Sequence, residues 1–167
     1  MKRLTAWVEA GLKQLLFVLM LLIAVSVIWQ VISRYVFGDP ATWPDEVARF
    51  SMIWVALLGG VYVYAQDKHL AVTILPERWA GSVRGHLLQM TFHVLVALLG
   101  VLAIAGGASV ATTNFVNGQL SSVLNINMGY VYVAVPVTGA LLVLYAICFI
   151  VERWRSACAL KEVRNGY

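Results

Sequence analysis

Five charged side chains lie close together in a chain that is otherwise strongly apolar. They fall within the stretch from Ser26 to Phe50 and are Arg34, Asp39, Asp45, Glu46 and Arg49. Arg34 ends the first apolar segment and Glu46 begins the second, so the two helix ends can meet in a partly buried ion pair. Arg49 follows Asp45 by four positions, which is the helical spacing for a second pair. We predict a structural ion-pair cluster that fixes how the two helices close, so that reversing Arg34 partly rescues a reversed Glu46.

Polar and aromatic side chains next to this cluster indicate the level of a membrane surface. Ser26, Gln30 and Arg34 are spaced by four positions and share one helix face, while Trp29 and Trp43 lie on either side of the cluster's first charges. Tryptophan is enriched where the apolar core of a bilayer meets water. We therefore expect Trp29, Gln30 and Trp43 to contact the interface or a partner. A simpler interpretation stays open, in which each charge is separately solvated among lipid headgroups.

Histidine and cysteine are the remaining side chains that could carry chemistry. His86 and His93 are seven positions apart and share a face of one predicted helix, whereas His69 lies in a connector. A haem needs axial ligands that converge in the interior, and the other predicted spans contain no histidine. A hydrogen-bonded or interfacial histidine pair is therefore favoured over haem, and Cys148 and Cys158 are predicted to be inert thiols. Because nucleophile triads, phosphate loops and metal-ligand spacings are absent from the sequence, we predict no catalytic residue, cofactor or metal.

The composition excludes most soluble classes of protein. Hydrophobic residues make up 61% of the 167 residues and charged residues only 12%, against about 25% charged in an ordinary globular domain. The net charge is +4, but the Lys and Arg residues flank apolar runs, which is typical of membrane topology signals. We predict an all-α integral membrane protein with one membrane domain, residues 1–167, and no nucleic-acid partner.

Four apolar segments are long enough to cross a bilayer, which takes about 20 helical residues. The predicted elements are a short amphipathic interfacial helix at about 3–13 and transmembrane helices at about 14–34, 45–66, 87–113 and 128–151. The first apolar run is longer than the roughly 7–15 residues of a signal peptide and no small-residue cleavage site follows it, so we expect it to stay as a span. Pro136 lies inside the fourth span and predicts a kink there.

The basic residues orient these spans. Lys and Arg cluster before the first span, between the second and third, and after the fourth, whereas the connector 114–127 carries no charge. Because basic connectors stay on the cytoplasmic side, we predict cytoplasmic N- and C-termini, with connectors 38–44 and 114–127 on the opposite side. Polar side chains within the spans are few, which favours an accessory subunit over a transporter with its own substrate site.

A longer pattern of residues resembles one membrane family. It comprises Trp29, Gln30, Arg34, Tyr35, Phe37, Trp43, Glu46, Ala48, Arg49, Trp54, Gly59, Gly60, Lys68, His69 and Leu70. This pattern resembles the small, four-helix (Q-type) membrane subunit of tripartite ATP-independent periplasmic (TRAP) transporters. The resemblance runs from the first span to the start of the third, and beyond that it rests on hydropathy and length. Thr73 departs from the pattern, since many relatives carry an acidic residue there.

The resemblance implies a non-catalytic subunit of a sodium-driven importer of organic acids, such as dicarboxylates or sialic acid. In this family a periplasmic binding protein captures the substrate, and a large membrane subunit carries the substrate and sodium sites and moves by an elevator mechanism. The small subunit would pack on the scaffold of the large one, contact membrane lipids of the bacterial inner membrane, and help dock the binding protein. Trp54 then joins Trp29, Gln30 and Trp43 as a candidate partner contact.

Two other classes stay open from the residues alone. A membrane anchor of a respiratory electron-transfer complex would need haem or quinone. A small exporter that works as a dimer would transport a solute without any partner. The resemblance favours the transporter subunit over both.

Overall fold

A computed structural model describes residues 2–66 and 83–165 of the chain. Within those ranges every element longer than an isolated bridge is an α-helix, and the helices are α1 (Lys2–Tyr35), α2 (Trp43–Gln66), α3 (Val83–Val116), α4 (Gly129–Tyr132) and α5 (Ala134–Asn165). Four segments are long and apolar enough to cross a membrane: Trp7–Tyr35, Trp43–Gln66, Met90–Val116 and Gly129–Val151. The all-α fold with four membrane-spanning helices is thereby confirmed. The predicted connector with Lys68, His69 and Thr73 lies outside the described residues.

The first helix differs from its prediction, because the interfacial segment 3–13 and the span from 14 onward form one continuous helix. Val8, Leu12 and Leu16 recur every four residues and pack on the core of the bundle, and Leu12 is buried there. These contacts pack the first turns of α1 against the bundle. At 1.5 Å per residue α1 is roughly 50 Å long, which exceeds the ~30 Å apolar core of a bilayer.

The helices pack in a simple order. α1 lies against α2, α2 lies against α5, and α5 makes its closest approach to α3. Glycines permit that approach: a Cβ added to Gly139 would lie 2.6 Å from the backbone oxygen of Gly100, and one added to Gly107 would lie 2.7 Å from Cδ of Pro136. Small residues at a crossing let two helix backbones come close, which is how apolar helices associate within lipid.

The fourth span is interrupted near its start. α4 ends at Tyr132 and α5 begins at Ala134, so Val133 alone separates the two helices. Pro136 has no backbone N–H and so cannot donate to the carbonyl oxygen of Tyr132, four positions earlier. The N–H of Val137 still donates to the carbonyl oxygen of Val133 at 3.2 Å, so helical hydrogen bonding resumes at once. The irregularity that Pro136 predicts therefore lies within one turn of it.

The core of the bundle lies near the chain termini. Its buried members are Leu12, Leu58, Val61, Tyr64, Ala65 and Tyr145. The connectors 36–42 and 117–128 lie together at the other end, which we call the loop end. The charged cluster of the sequence belongs to this loop end.

Candidate functional site at the loop end

Asp45 and Arg49 form an exposed ion pair on the first turns of α2. The Arg49 guanidinium donates to Oδ2 of Asp45 at 2.8 Å, and the two side chains are 68% and 55% exposed. The spacing of four places the two groups on one face of the helix, and the acidic member lies at the positive end of the helix dipole. An exposed pair of this kind contributes little to stability.

Glu46 bonds to a different element from the one that the sequence indicates. Its Oε2 accepts hydrogen bonds from the backbone N–H of Leu124 at 2.8 Å and of Val123 at 3.2 Å. The Ser121 hydroxyl is buried beside the same carboxylate, without the geometry of a hydrogen bond to it. A carboxylate that accepts backbone N–H groups makes charge-assisted hydrogen bonds, so Glu46 joins the start of α2 to the connector between α3 and α4.

The predicted ion pair between Arg34 and Glu46 therefore does not form in the structure, because Glu46 bonds to the connector instead. Among the residues that the structure describes, no carboxylate forms an ion pair with Arg34, which is exposed at the last turn of α1. The physical reason is that the connector amides have no helical partners and point at Glu46 from a fixed backbone. A long, solvated arginine side chain would lose more conformational freedom than these amides do in reaching the same carboxylate.

The connector 117–128 is folded so that it can present these amides. The N–H of Ser121 donates to the carbonyl oxygen of Ile126 and the N–H of Met128 donates to that of Gln119, both at 2.8 Å, which forms a short antiparallel bridge. Asn125 adopts a positive φ of 52° at the tip, a conformation that asparagine tolerates better than most residues. The tip lies between the two bridged segments and carries Val123 and Leu124. Because the binding groups are backbone amides, no side-chain pattern in the sequence could have identified them.

Ser33 makes a second contact at the loop end, and the sequence did not predict it. It is buried, donates to the carbonyl oxygen of Gln30 at 3.0 Å, and accepts from the backbone N–H of Ala41 at 3.3 Å. The hydroxyl therefore fixes the connector 36–42 against the end of α1. The only available signal was a serine near a charged helix end, which is common in capping and turn motifs.

A cavity of about 720 Å³ lies between these elements. Its lining comes from the last turns of α1, the connector 36–42, the start of α2 and the tip of the second connector, and comprises Gln30, Val31, Arg34, Tyr35, Pro40, Ala41, Thr42, Asp45 and Val123. Of the predicted site residues, Gln30, Arg34 and Asp45 thus share one cavity. Glu46 and Arg49 are not part of its lining.

The tryptophans of the sequence prediction separate into two groups. Trp29 and Trp43 are 44% and 45% exposed at the loop end, and the ring of Trp29 lies 6.4 Å from that of Phe37 between centroids. Trp54 instead packs against the buried core. Trp29 and Trp43 are therefore available to a membrane or partner, while Trp54 is partly covered by its own chain.

His93 lies in the core and not at the loop end. It is buried, and its Nδ1 is 2.8 Å from the hydroxyl oxygen of Tyr64 in a hydrogen bond, with Phe149 5.4 Å away between ring centroids. The side chain of His86 lies outside the described part of the chain, so the predicted histidine pair stays a prediction. Within the described residues, no group of three or more His, Cys, Asp or Glu side chains could hold a metal ion.

Comparison with known proteins identifies the family. The family model for the DctQ component of tripartite ATP-independent periplasmic transporters matches residues 5–156. A Haemophilus influenzae protein named as a TRAP transporter small permease is 28% identical over 78 residues, which are 47% of this chain and 48% of that protein. The sialic acid TRAP transporter small permease protein SiaQ of Vibrio cholerae is 25% identical over 77 residues, 46% of this chain and 44% of that protein.

These alignments span about half the length of the curated relatives, whereas the family model reaches from α1 into α5 and includes the later helices. The four apolar helices also agree with a multi-pass protein of the bacterial inner membrane. The chain belongs to the DctQ component family of TRAP transporters.

Proposed function

We propose that this chain is the non-catalytic small permease subunit of a secondary active importer of organic acids. The match of the DctQ family to residues 5–156 is the observation that carries the proposal. The imported substrate would be a carboxylate, with sialic acid and dicarboxylates as the first to test, since one relative is named for sialic acid. A sodium gradient would drive uptake through the large membrane subunit, and this chain would bind no substrate itself.

The surface of α1 supports packing on a large membrane partner. Large apolar side chains on several sides of this helix are exposed, among them Phe17, Met20, Leu21 and Ile28. α1 lies at one edge of the packing order and is covered mainly by α2. A helix that is apolar all round and covered on one side needs lipid or another protein on the others. The scaffold of the large subunit would cover part of that surface.

The loop end would take part in docking the periplasmic substrate-binding protein. The positive-inside pattern of the sequence would place this end in the periplasm and both termini in the cytoplasm. Glu46 supports such a role, because its bonds to Val123 and Leu124 fix the connector 117–128 against the start of α2. A surface that is fixed before docking loses less conformational freedom when the partner binds.

Affinity purification from the native host tests the assignment. The full chain, tagged and extracted in a mild detergent, should recover a much larger polytopic membrane protein that is identified by mass. Recovery of the chain alone, or with redox subunits, would contradict the proposal. The reconstituted complex should then take up a carboxylate only when both the binding protein and a sodium gradient are present.

The docking role has a matched pair of variants. Glu46→Ala removes the acceptor of the connector amides, whereas Asp45→Asn removes one negative charge from the neighbouring position without touching that connector. Glu46→Ala should lower uptake and the affinity for the binding protein while the large subunit is still recovered. Equal effects of the two variants would mean that charge alone matters and that the fixed connectors do not.

A further inference from the structure

We propose that the cavity beside Arg34 binds the phosphate headgroup of a membrane phospholipid, with the acyl chains lying along α1. This site is distinct from the transport role and adjoins the Glu46 contact, since Val123 lines the cavity and also donates to Glu46. Its ligand class is an anionic phosphodiester carried on two apolar chains. The proposal rests on the charges in the cavity, on its volume, and on the surface that continues from it.

The charges of the cavity favour an anion at Arg34. Arg34 lines the cavity and forms no ion pair among the described residues, while the acidic lining residue Asp45 is already paired with Arg49. The other polar side chains of the lining, Gln30, Tyr35 and Thr42, can donate hydrogen bonds. A guanidinium binds phosphate oxygens through two parallel N–H donors, and this gives both charge and geometry to the contact.

The volume fits a lipid headgroup. Small-molecule sites measure roughly 300–1,000 Å³, and this cavity of about 720 Å³ falls within that range. A lone inorganic phosphate would leave most of it filled with water. A glycerophosphate headgroup together with the first carbons of its chains would occupy far more.

The surface below the cavity favours a ligand with acyl chains. Val31 lines the cavity and Val27 lies one turn earlier on the same face of α1, and the two are 51% and 46% exposed. An apolar strip thus runs from the cavity along the helix toward the middle of the span. Exposed Trp29 and Trp43 lie at the same end of the bundle, as aromatic side chains do at the headgroup level.

Lipid binding to the purified full chain tests the site. Dioleoyl phosphatidylglycerol is titrated into the protein in detergent, and bound lipid is counted by native mass spectrometry. Arg34→Gln should weaken binding by roughly tenfold, since a charge-assisted contact is lost. Lys13→Gln removes a positive charge from an exposed residue near the opposite end of α1 and should change the affinity by less than about twofold. Equal effects of the two variants would overturn the proposal, because lipid would then respond only to overall charge.

A second variant tests the cavity independently of Arg34. Thr42→Trp keeps the guanidinium but fills space in the cavity, and it should weaken lipid binding to a similar extent. Normal binding by Thr42→Trp would place the lipid elsewhere and overturn the site. Circular dichroism of each variant checks that the helical content is unchanged, and either variant alone suffices if the other does not fold.

Soluble probes separate the sources of the phosphate. Inorganic phosphate and glycerophosphoglycerol, which lack acyl chains, should fail to compete at a hundredfold excess over the lipid. Competition by either one would mean that the site binds free phosphate, and the lipid assignment would be overturned. A protein ligand is the remaining alternative: if Arg34→Gln releases the co-purifying large subunit and leaves lipid binding unchanged, Arg34 contacts an acidic group of that partner.

Discussion

The carboxylate of Glu46 accepts a 2.8 Å hydrogen bond from the backbone N–H of Leu124, although 78 positions separate the two residues in the chain. Glu46 belongs to the hairpin of α1 and α2, and Leu124 belongs to the connector between α3 and α4. The bond therefore joins the two halves of the bundle at the loop end. α2 and α5 make the main contact between those halves along the span, so Glu46 adds a polar contact outside the apolar packing.

Removing the Glu46 carboxylate should loosen the tip of the second connector. Glu46→Ala leaves the N–H groups of Val123 and Leu124 without their acceptor, and we expect peptides that contain them to exchange hydrogen roughly tenfold faster. Hydrogen–deuterium exchange with mass spectrometry measures this directly. Asp45→Asn is the control and should leave exchange at these two amides unchanged. Unchanged exchange in Glu46→Ala would show that the connector holds its shape without Glu46.

The bond to Leu124 also changes what a charge-swap experiment should give. A Glu46→Lys variant places a cation against backbone N–H groups, and no change at Arg34 can restore an acceptor there. Double reversal of Glu46 and Arg34 should therefore not rescue assembly or uptake. Measured rescue in the double variant would mean that the two side chains pair in the assembled transporter.

The four membrane-spanning helices could be predicted because they depend on length and apolar content. In a bilayer every backbone polar group needs a partner within the chain, so a run of about 20 apolar residues has few alternatives to a helix. The same reasoning could not predict that α1 is continuous from Lys2 to Tyr35. The packing of Leu12 on α2 and α5 decides that, and such a contact depends on tertiary structure.

The candidate site was predicted only where both partners are side chains on one helix. Asp45 and Arg49 lie four positions apart, so their spacing alone indicated a contact. Glu46 and Arg34 lie on different helices, and their opposite charges suggested a pair that the structure does not form. The actual partners of Glu46 are backbone groups of a connector without charges, which have the same chemistry at every position of the sequence.

The exposed pair of Asp45 and Arg49 should contribute little to stability. Either Asp45→Asn or Arg49→Gln should change the free energy of unfolding by less than about 1 kcal/mol, because both groups are well solvated. A double-mutant cycle in detergent, by thermal or denaturant unfolding, should give a coupling of about 0.2–0.5 kcal/mol at low salt. Added salt should reduce that coupling. A coupling above about 2 kcal/mol would indicate that the pair is buried in the folded protein.

The crossing of α3 and α5 should be sensitive to a single methyl group. Gly139→Ala places a Cβ 2.6 Å from the oxygen of Gly100 and 3.0 Å from Cβ of Ala103, so the helices must separate. We expect a loss of about 1–3 kcal/mol in the free energy of unfolding, as for other overpacked sites. Gly60→Ala is the matched control, because nothing lies within 4 Å of its added Cβ. That variant should be neutral or stabilising by up to about 1 kcal/mol, since alanine favours a helix over glycine. An equal free energy of unfolding in the two variants would mean that the backbones of α3 and α5 do not approach closely at Gly139.

The hydrogen bond between Tyr64 and His93 should stabilise the core of the bundle. Tyr64→Phe keeps the ring and its contact with Phe149 but removes the hydroxyl that lies 2.8 Å from Nδ1 of buried His93. A buried polar atom that loses a hydrogen bond typically costs about 1–3 kcal/mol, and we expect a loss of that size in the free energy of unfolding. Tyr62→Phe removes a hydroxyl that accepts from Gln66 at the surface and should cost less than about 0.5 kcal/mol. If the two variants lose the same free energy of unfolding, the hydrogen bond between Tyr64 and His93 does not stabilise the core.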